Sequence, residues 1–318
     1  MKRPNLELKF AELRDLRSVP EERAVPALRR LLADPSHHVI ARAAVLTGDR
    51  HLTDLVPDLL ASYARMLVNP VESDPQCVAK FPILVALKEL GYANADFFLA
   101  GTRYTQFEPD VPKPTDKAPP VRGLCALALI GCDMDDFEAL ERLTDMLLDP
   151  APVVRGDAAR AIGGMGMHEG ILPLRLKIKT GDREPRVLGD CFTALLMLEP
   201  TEYLDFVAGF LHGTLWIEAA IALAGSPELR AVTLLTGFWG SQDSTETRTS
   251  LVGLLATSPV EAAAEFLVKL LETAEQVLAE RAIEGLAKGR FRARVEGRVR
   301  AAVEGRPGLR EAFEAEFC

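Results

Sequence analysis

The stretch PVVRGDAARAIGG at 152–164 has a counterpart upstream, PPVRGLCALALIG at 119–131, and another downstream, EPRVLGDCFTALL at 184–196. Gly123, Gly156 and Gly189 stand 33 residues apart, as do Val121, Val154 and Val187. Self-similarity at such a period is the mark of stacked units, each too small to bury its own apolar face. Looser copies are HHVIARAAVLTG, QCVAKFPILVAL, TLWIEAAIALAG, TETRTSLVGLLA and LAERAIEGLAKG. Anchored on Gly156, the equivalent positions are Ala41, Lys80, Gly123, Gly189, Ile217, Thr249 and Arg281, which makes about eight units.

Each unit reads as two helices. Two positions before the anchor stand Val39, Val78, Val121, Val154, Val187 and Leu215. Two after it stand Ala43, Cys125, Ala158, Cys191, Ala219 and Leu251, and six after it Leu129, Ile162, Leu195, Leu223 and Leu255. That spacing predicts an anchored helix with one buried stripe of small and branched residues. A second helix follows, as in DFEALERLTDMLLD at 136–149 or EAAAEFLVKLLE at 261–272. Ala and Leu abundance with only 6% aromatic residues agrees with close-packed helices and disfavours a β-sandwich. The expectation is a single all-α body over 1–318, with an N-terminal cap helix in 1–20 and a basic C-terminal cap in 288–318.

The repeat resembles the HEAT-repeat family, in its phycobilisome-lyase HEAT-like type, through Asp149-Pro150, Val154-Arg155, Ala158-Ala159 and Ile162-Gly163. The resemblance implies an α-solenoid, a right-handed superhelix of helix pairs with the anchored helices lining the concave side. It also implies a ladder between neighbouring units, from an aspartate at the turn and a basic residue six positions later. Asp116/Arg122 and Asp149/Arg155 match, and Asp74/Lys80 is a looser match.

Charge and chemistry narrow the function. A net charge of −9 opposes general affinity for nucleic acid, because phosphates meet repulsion over most of the surface. Cys77, Cys125, Cys132, Cys191 and Cys318 form no CxxC pair, and their number is odd, which argues for a reducing compartment. The charged N-terminus lacks an apolar signal core, and the longest apolar run, LCALALIGC at 124–132, is too short for a membrane span. The expectation is a soluble cytoplasmic protein. The glycines of GGMGMHEG at 163–170 follow no strand and precede no Lys-Ser/Thr pair, so they are not a phosphate loop. No HExxH or His/Cys spacing appears, so neither a metal nor any other cofactor is expected.

Three places are candidates for partner contact. The Pro-rich stretch YTQFEPDVPKPTDKAPP at 104–120 is expected to be an exposed extended loop without helix, offering Tyr104, Phe107 and Lys113. One position after the anchor stand Asp157, Asp190 and Glu218, with Arg160 beside them. That position is expected to face solvent and to form an acidic row for a basic segment of another protein. In the C-terminal cap, Arg290, Arg294 and Arg298 fall on one helical stripe, read as the solvated face of an end-cap helix. The leading expectation is a non-catalytic protein-interaction scaffold. Two alternatives stand beside it. One is a nucleic-acid binder or HEAT-like-repeat DNA glycosylase, for which Trp216, Trp239 and Asp243 are the residues to examine. The other is a bilin-lyase-like accessory subunit, which the repeat type alone suggests.

Overall fold

Helix propensity and the buried stripe act together over most of the chain. The computed structural model describes residues 3–317, so Cys318 and the first two residues of the expected cap lie outside it. The chain divides into two compact units, Met1–Ala161 and Ile162–Cys318, and the division falls inside one helix, Pro152–Met165.

In the first unit, helices Arg3–Asp15 and Glu21–Leu32 precede the repeats. The anchored helices are His37–Asp49, Lys80–Glu89 and Pro119–Leu129, followed by the first part of Pro152–Met165. Their second helices are Val56–Met66, Ala95–Gly101 and Asp136–Met146. In the second unit the anchored helices are Pro185–Leu198, Trp216–Gly225, Thr245–Ala256 and Gln276–Lys288. The second helices there are Ile171–Thr180, Leu204–Ala208, Leu229–Gly240, Glu261–Thr273 and Arg292–Glu304, and the terminal helix Arg310–Phe317 ends the stack. The chain is an all-α helical repeat, with every predicted anchor on or at the start of an anchored helix.

Most of the stripe is buried as its spacing requires, while Val78 and Leu215 are half-buried. Val39, Val121, Val154 and Val187 are inside, with Ala43, Cys125, Ala158, Cys191, Ala219 and Leu251 two positions after the anchor. Leu129, Ile162, Leu195, Leu223 and Leu255 complete it. Each fully buried leucine contributes about 1.5–3 kcal/mol relative to exposure. The small residues let anchored helices meet backbone to backbone. A Cβ added at Gly163 would lie 2.8 Å from the Cα of Ala194, and one at Gly48 would lie 3.2 Å from the Cα of Ala86. Glycine in a helix costs about 1 kcal/mol relative to alanine, and close approach is what offsets it here.

Four of the turns before the anchored helices share one device. The carboxylates of Asp34, Asp116, Asp149 and Asp182 each accept the backbone N–H two residues on, from Ser36, Ala118, Ala151 and Glu184. Each forms a short side-chain turn that launches the helix.

The Pro-rich stretch departs from expectation. Phe107–Glu108 pairs antiparallel with Thr115–Asp116, Phe107 opposite Asp116 and Glu108 opposite Thr115, so it is a hairpin rather than an open loop. Its last two residues, Pro119 and Pro120, already begin the next helix. Proline is well tolerated there, because the N–H groups of the first turn have no partner within the helix. Among the described residues these two short strands are the whole of the sheet structure.

Candidate interaction site

The insertions of the first unit converge on one buried polar cluster. Between Met66 and Lys80 the chain makes a short helix, Pro70–Ser73, and a 3-10 turn, Pro75–Cys77. Asn69, Gln76 and Cys77 there adopt positive φ of 48°, 59° and 56°. Such backbone costs energy for a residue with a Cβ and persists only where its surroundings hold it. Asp74 is the hold. Its carboxylate accepts the N–H of Ala79 at 2.8 Å and of Lys80 at 3.0 Å, starting the helix. It also takes the Lys80 ammonium at 3.2 Å, with both side chains fully buried. The looser sequence match is thus an ion pair in the interior.

The base of the hairpin locks onto this turn. Gln106 and Glu108 point inward and Phe107 outward, as strand alternation requires. The Gln106 amide donates to the carbonyl of Asp74 at 2.9 Å and to Glu108 at 2.7 Å, and its oxygen accepts from the Tyr104 hydroxyl at 2.6 Å. Glu108 accepts the Gln76 N–H at 2.5 Å, pinning one of the left-handed residues. Burial pushes the Cys77 thiol up to about 12, more than the Lys80 charge lowers it. It is held as a thiol, which is a poor nucleophile. Burial likewise raises the Tyr104 hydroxyl.

The ladder secures the other strand. The Arg122 guanidinium meets Asp116 at 2.6 Å and forks onto Asp149 at 2.9 and 3.1 Å, and it donates to the Tyr104 carbonyl at 3.0 Å. Arg155 donates to the carbonyls of Asp149 and Pro150. The four ladder residues read from the sequence, Asp116, Arg122, Asp149 and Arg155, therefore come together in the first unit. In the second unit a lysine takes over the part, with Lys177 2.8 Å from Asp182.

On this base sits an exposed apolar surface. Phe107 is 62% exposed and Val111 93%, and Lys113 stands free at the tip. Beside the base, Leu60, Tyr63, Ala64 and Leu67 of one second helix face Phe97, Ala100 and Gly101 of the next. Together with Tyr104 they line an apolar cavity of about 370 Å³. The Tyr63 and Phe97 rings in its lining are 5.2 Å apart. Of the expected loop contacts, Phe107 and Lys113 are presented to solvent, while Tyr104 is half-buried and joins the cluster to the cavity.

The acidic row needs correction. Asp157 is 6% exposed and does not face solvent. It lies in the space left by Gly123, where any Cβ would overlap its carboxylate, and it pairs with Arg160. Asp190 and Glu218, in the second unit, are half-buried, and Glu218 packs over Gly189, where a Cβ would come within 3.2 Å. At Asp157 and Glu218 the position after the anchor faces the anchor glycine of the preceding repeat, Gly123 or Gly189, and the side chain fills the gap between helices.

The remaining candidates are set in packing contacts. Trp239 lies edge-on to Phe266 and under the Arg248 guanidinium, and Trp216 lies against Phe238. Asp243 is exposed beyond the end of helix Leu229–Gly240. On the basic C-terminal stripe, Arg294 pairs with Glu261 at 2.8 Å and Arg298 with Glu265 at 2.6 Å. Among the described residues no group of three or more His, Cys, Asp and Glu is placed to hold a metal ion, and no helix is long and apolar enough to cross a membrane. Sequence reasoning missed Gln106 and Glu108. Their signal was the alternation Gln-Phe-Glu with the polar residues inside, the reverse of the usual strand pattern.

No protein-family model matches the chain, and no curated protein does. Among solved structures, the chain is similar to the complex of CpcE and CpcF of phycocyanin lyase from Nostoc sp. PCC7120. The identity is 18%, over 73% of this chain and 91% of that one, with a TM-score of 0.40. It is also similar to an engineered protein at 15% identity, over 96% and 93% of the two chains, with a TM-score of 0.34.

Proposed function

We propose that the chain is a non-catalytic scaffold of HEAT-like kind that binds another protein, and that the hairpin of the first unit is a contact element. One observation carries the reading. A hydrogen-bonded buried cluster holds the base of the hairpin, and the hairpin presents Phe107 and Val111 to solvent beside an apolar cavity. Burying Gln106, Glu108, Asp74 and Lys80 has a desolvation cost that a shorter turn would avoid. Exposed aromatic and aliphatic side chains on a pre-ordered element bind with little ordering entropy to lose.

The test places a photo-crosslinking residue in turn at Phe107, at Val111 and at Leu172, an exposed site in the second unit. The expected result is one protein captured from both hairpin positions and not from Leu172. The reading fails if the hairpin positions capture nothing specific and a Phe107→Ser, Val111→Ser variant keeps every native complex of the wild type.

A further inference from the structure

A second cleft of the first unit is cationic although the chain is acidic overall. It opens between helix Arg3–Asp15, with its closing turn, and the anchored helix His37–Asp49, and measures about 200 Å³. Phe10, Leu13, Arg14 and Arg17 line one side, and Arg42, Val45 and Leu46 the other. Spacings of three and four residues put each set on one face. Leu13 and Leu46 are buried, while Val45 and all three arginines are exposed.

No carboxylate in the lining balances these arginines. Of the acids nearby, Glu12 is engaged by Arg30 and Asp34 by Lys9. Glu7, Asp15 and Asp49 lie on the same two helices but outside the lining. Among the described residues none of them pairs with Arg14, Arg17 or Arg42. The Arg42 guanidinium sits 3.6 Å from the centroid of the Phe10 ring, joining one side of the cleft to the other. A stacked guanidinium is held in place while the N–H groups at its edge still donate. Arg50 donates to the Leu16 carbonyl at 2.6 Å, which ties the turn bearing Arg17 to the end of the facing helix. The cleft is thus pre-ordered, and its charge is left for a ligand.

We propose that this cleft binds a phosphorylated side chain of a partner protein, with the phosphoryl group on the three guanidiniums and a neighbouring apolar side chain against Phe10 and Val45. A phosphomonoester carries about −1.5 to −2 at pH 7 and three acceptor oxygens, which the guanidinium forks match. A single carboxylate would balance one of the three cations. The volume is below the roughly 300–1,000 Å³ of pockets that enclose a whole small ligand, so the cleft suits one group of a larger ligand. Free phosphate would leave the apolar lining uncovered. An anionic membrane would be repelled by the net charge of −9 and by Glu7, Asp15 and Asp49. The inference shares with the hairpin reading the premise that the chain binds protein, and it involves no residue of the hairpin.

The experiment uses the full chain and three labelled synthetic peptides that differ at one position between leucines: phosphoserine, serine or glutamate. Fluorescence anisotropy reads binding, and NMR of the arginine Nε–H groups, assigned with Arg42→Lys, reads the site. The phosphoserine peptide should bind at least about tenfold more tightly than the other two and should shift the Arg42 signal. Arg14→Ala, Arg17→Ala and Arg42→Lys should each weaken it several-fold, the lysine variant because it keeps the charge and loses the fork. Arg290→Ala, an exposed arginine of the second unit, and Phe107→Ser should bind like the wild type. The inference is overturned if the serine or glutamate peptide binds equally, or if inorganic phosphate alone binds as tightly as the phosphopeptide. It is also overturned if phosphatidylserine vesicles displace the phosphopeptide, or if the Arg42 signal does not move. If an arginine variant fails to fold, the Arg42 signal of the wild-type protein decides. Crosslinking from Phe107 and Val111 does not depend on these arginines, so failure here and failure of the hairpin reading are separate results.

Discussion

Gly123 and Asp157 show how one position determines another across a unit boundary. The glycine leaves the space and the carboxylate fills it, so the two are a pair although 34 residues separate them. Gly123→Ala should destabilise the fold by about 1–3 kcal/mol, the ordinary cost of overpacking, read from the urea midpoint. In an Asp157→Ala background the same change should cost much less, because the clashing group is gone; equal costs in both backgrounds would mean the two do not touch. Asp116 makes a second residue-scale prediction. Burial pushes its carboxyl up, but the N–H groups of Gln106 and Ala118 and the Arg122 guanidinium outweigh it and hold it below the usual aspartate range. A folded-state value below the unfolded one, near 3.9, means its stabilisation is fully present above that pH. It is lost as pH falls through the folded value. Asp116→Asn should therefore be less stable than wild type at neutral pH and should lose less stability on acidification below about pH 4. Parallel loss in the two proteins would refute that linkage.

Helix Arg292–Glu304 is an element whose charges and core contribute unequally. Its Arg294 and Arg298 pair with Glu261 and Glu265 two helices back, but all four side chains are well exposed. Such pairs contribute about 0–1 kcal/mol each. Its inner face carries Val295, Val299 and Val303, all buried. Thermal melts should show Arg294→Ala with Arg298→Ala close to wild type and Val299→Ala lower by the equivalent of about 2 kcal/mol. The opposite order would mean that the ion pairs, and not the valines, hold the end of the stack. The hairpin is the contrasting element, since its hold comes from Gln106 and Glu108 beneath it.

At the scale of the whole molecule, charge sets the partners that are excluded. The overall charge is −9, and Arg294 and Arg298 of the C-terminal stripe are engaged by Glu261 and Glu265. Duplex DNA should show no binding at about 150 mM salt by fluorescence anisotropy, because affinity for phosphate grows with the number of cations presented. Saturable binding there would favour a nucleic-acid function. The regular units were legible because a helix stripe is a local property. The valines, small residues and leucines at fixed offsets from the anchor had to share a face, and they do. The turn aspartates were legible for the same reason, as each bonds within two residues of itself.

What the sequence determined by itself was therefore the repeat and its register, set by periodicity along the chain, while the Asp–Arg ladder was what the family resemblance implied. Only the tertiary structure decided where polar residues off that period would go. Asp157 reads as a surface acid by its own neighbours, and it is buried because a glycine one unit earlier has no side chain. Gln106 and Glu108 read as loop residues, and they are interior because the left-handed turn at Gln76 and Cys77 needs acceptors and donors brought from 30 residues away. The cleft at Arg14 and Arg42 likewise belongs to two helices at once. Pairings of this kind depend on which surfaces meet, and no spacing within one element encodes that.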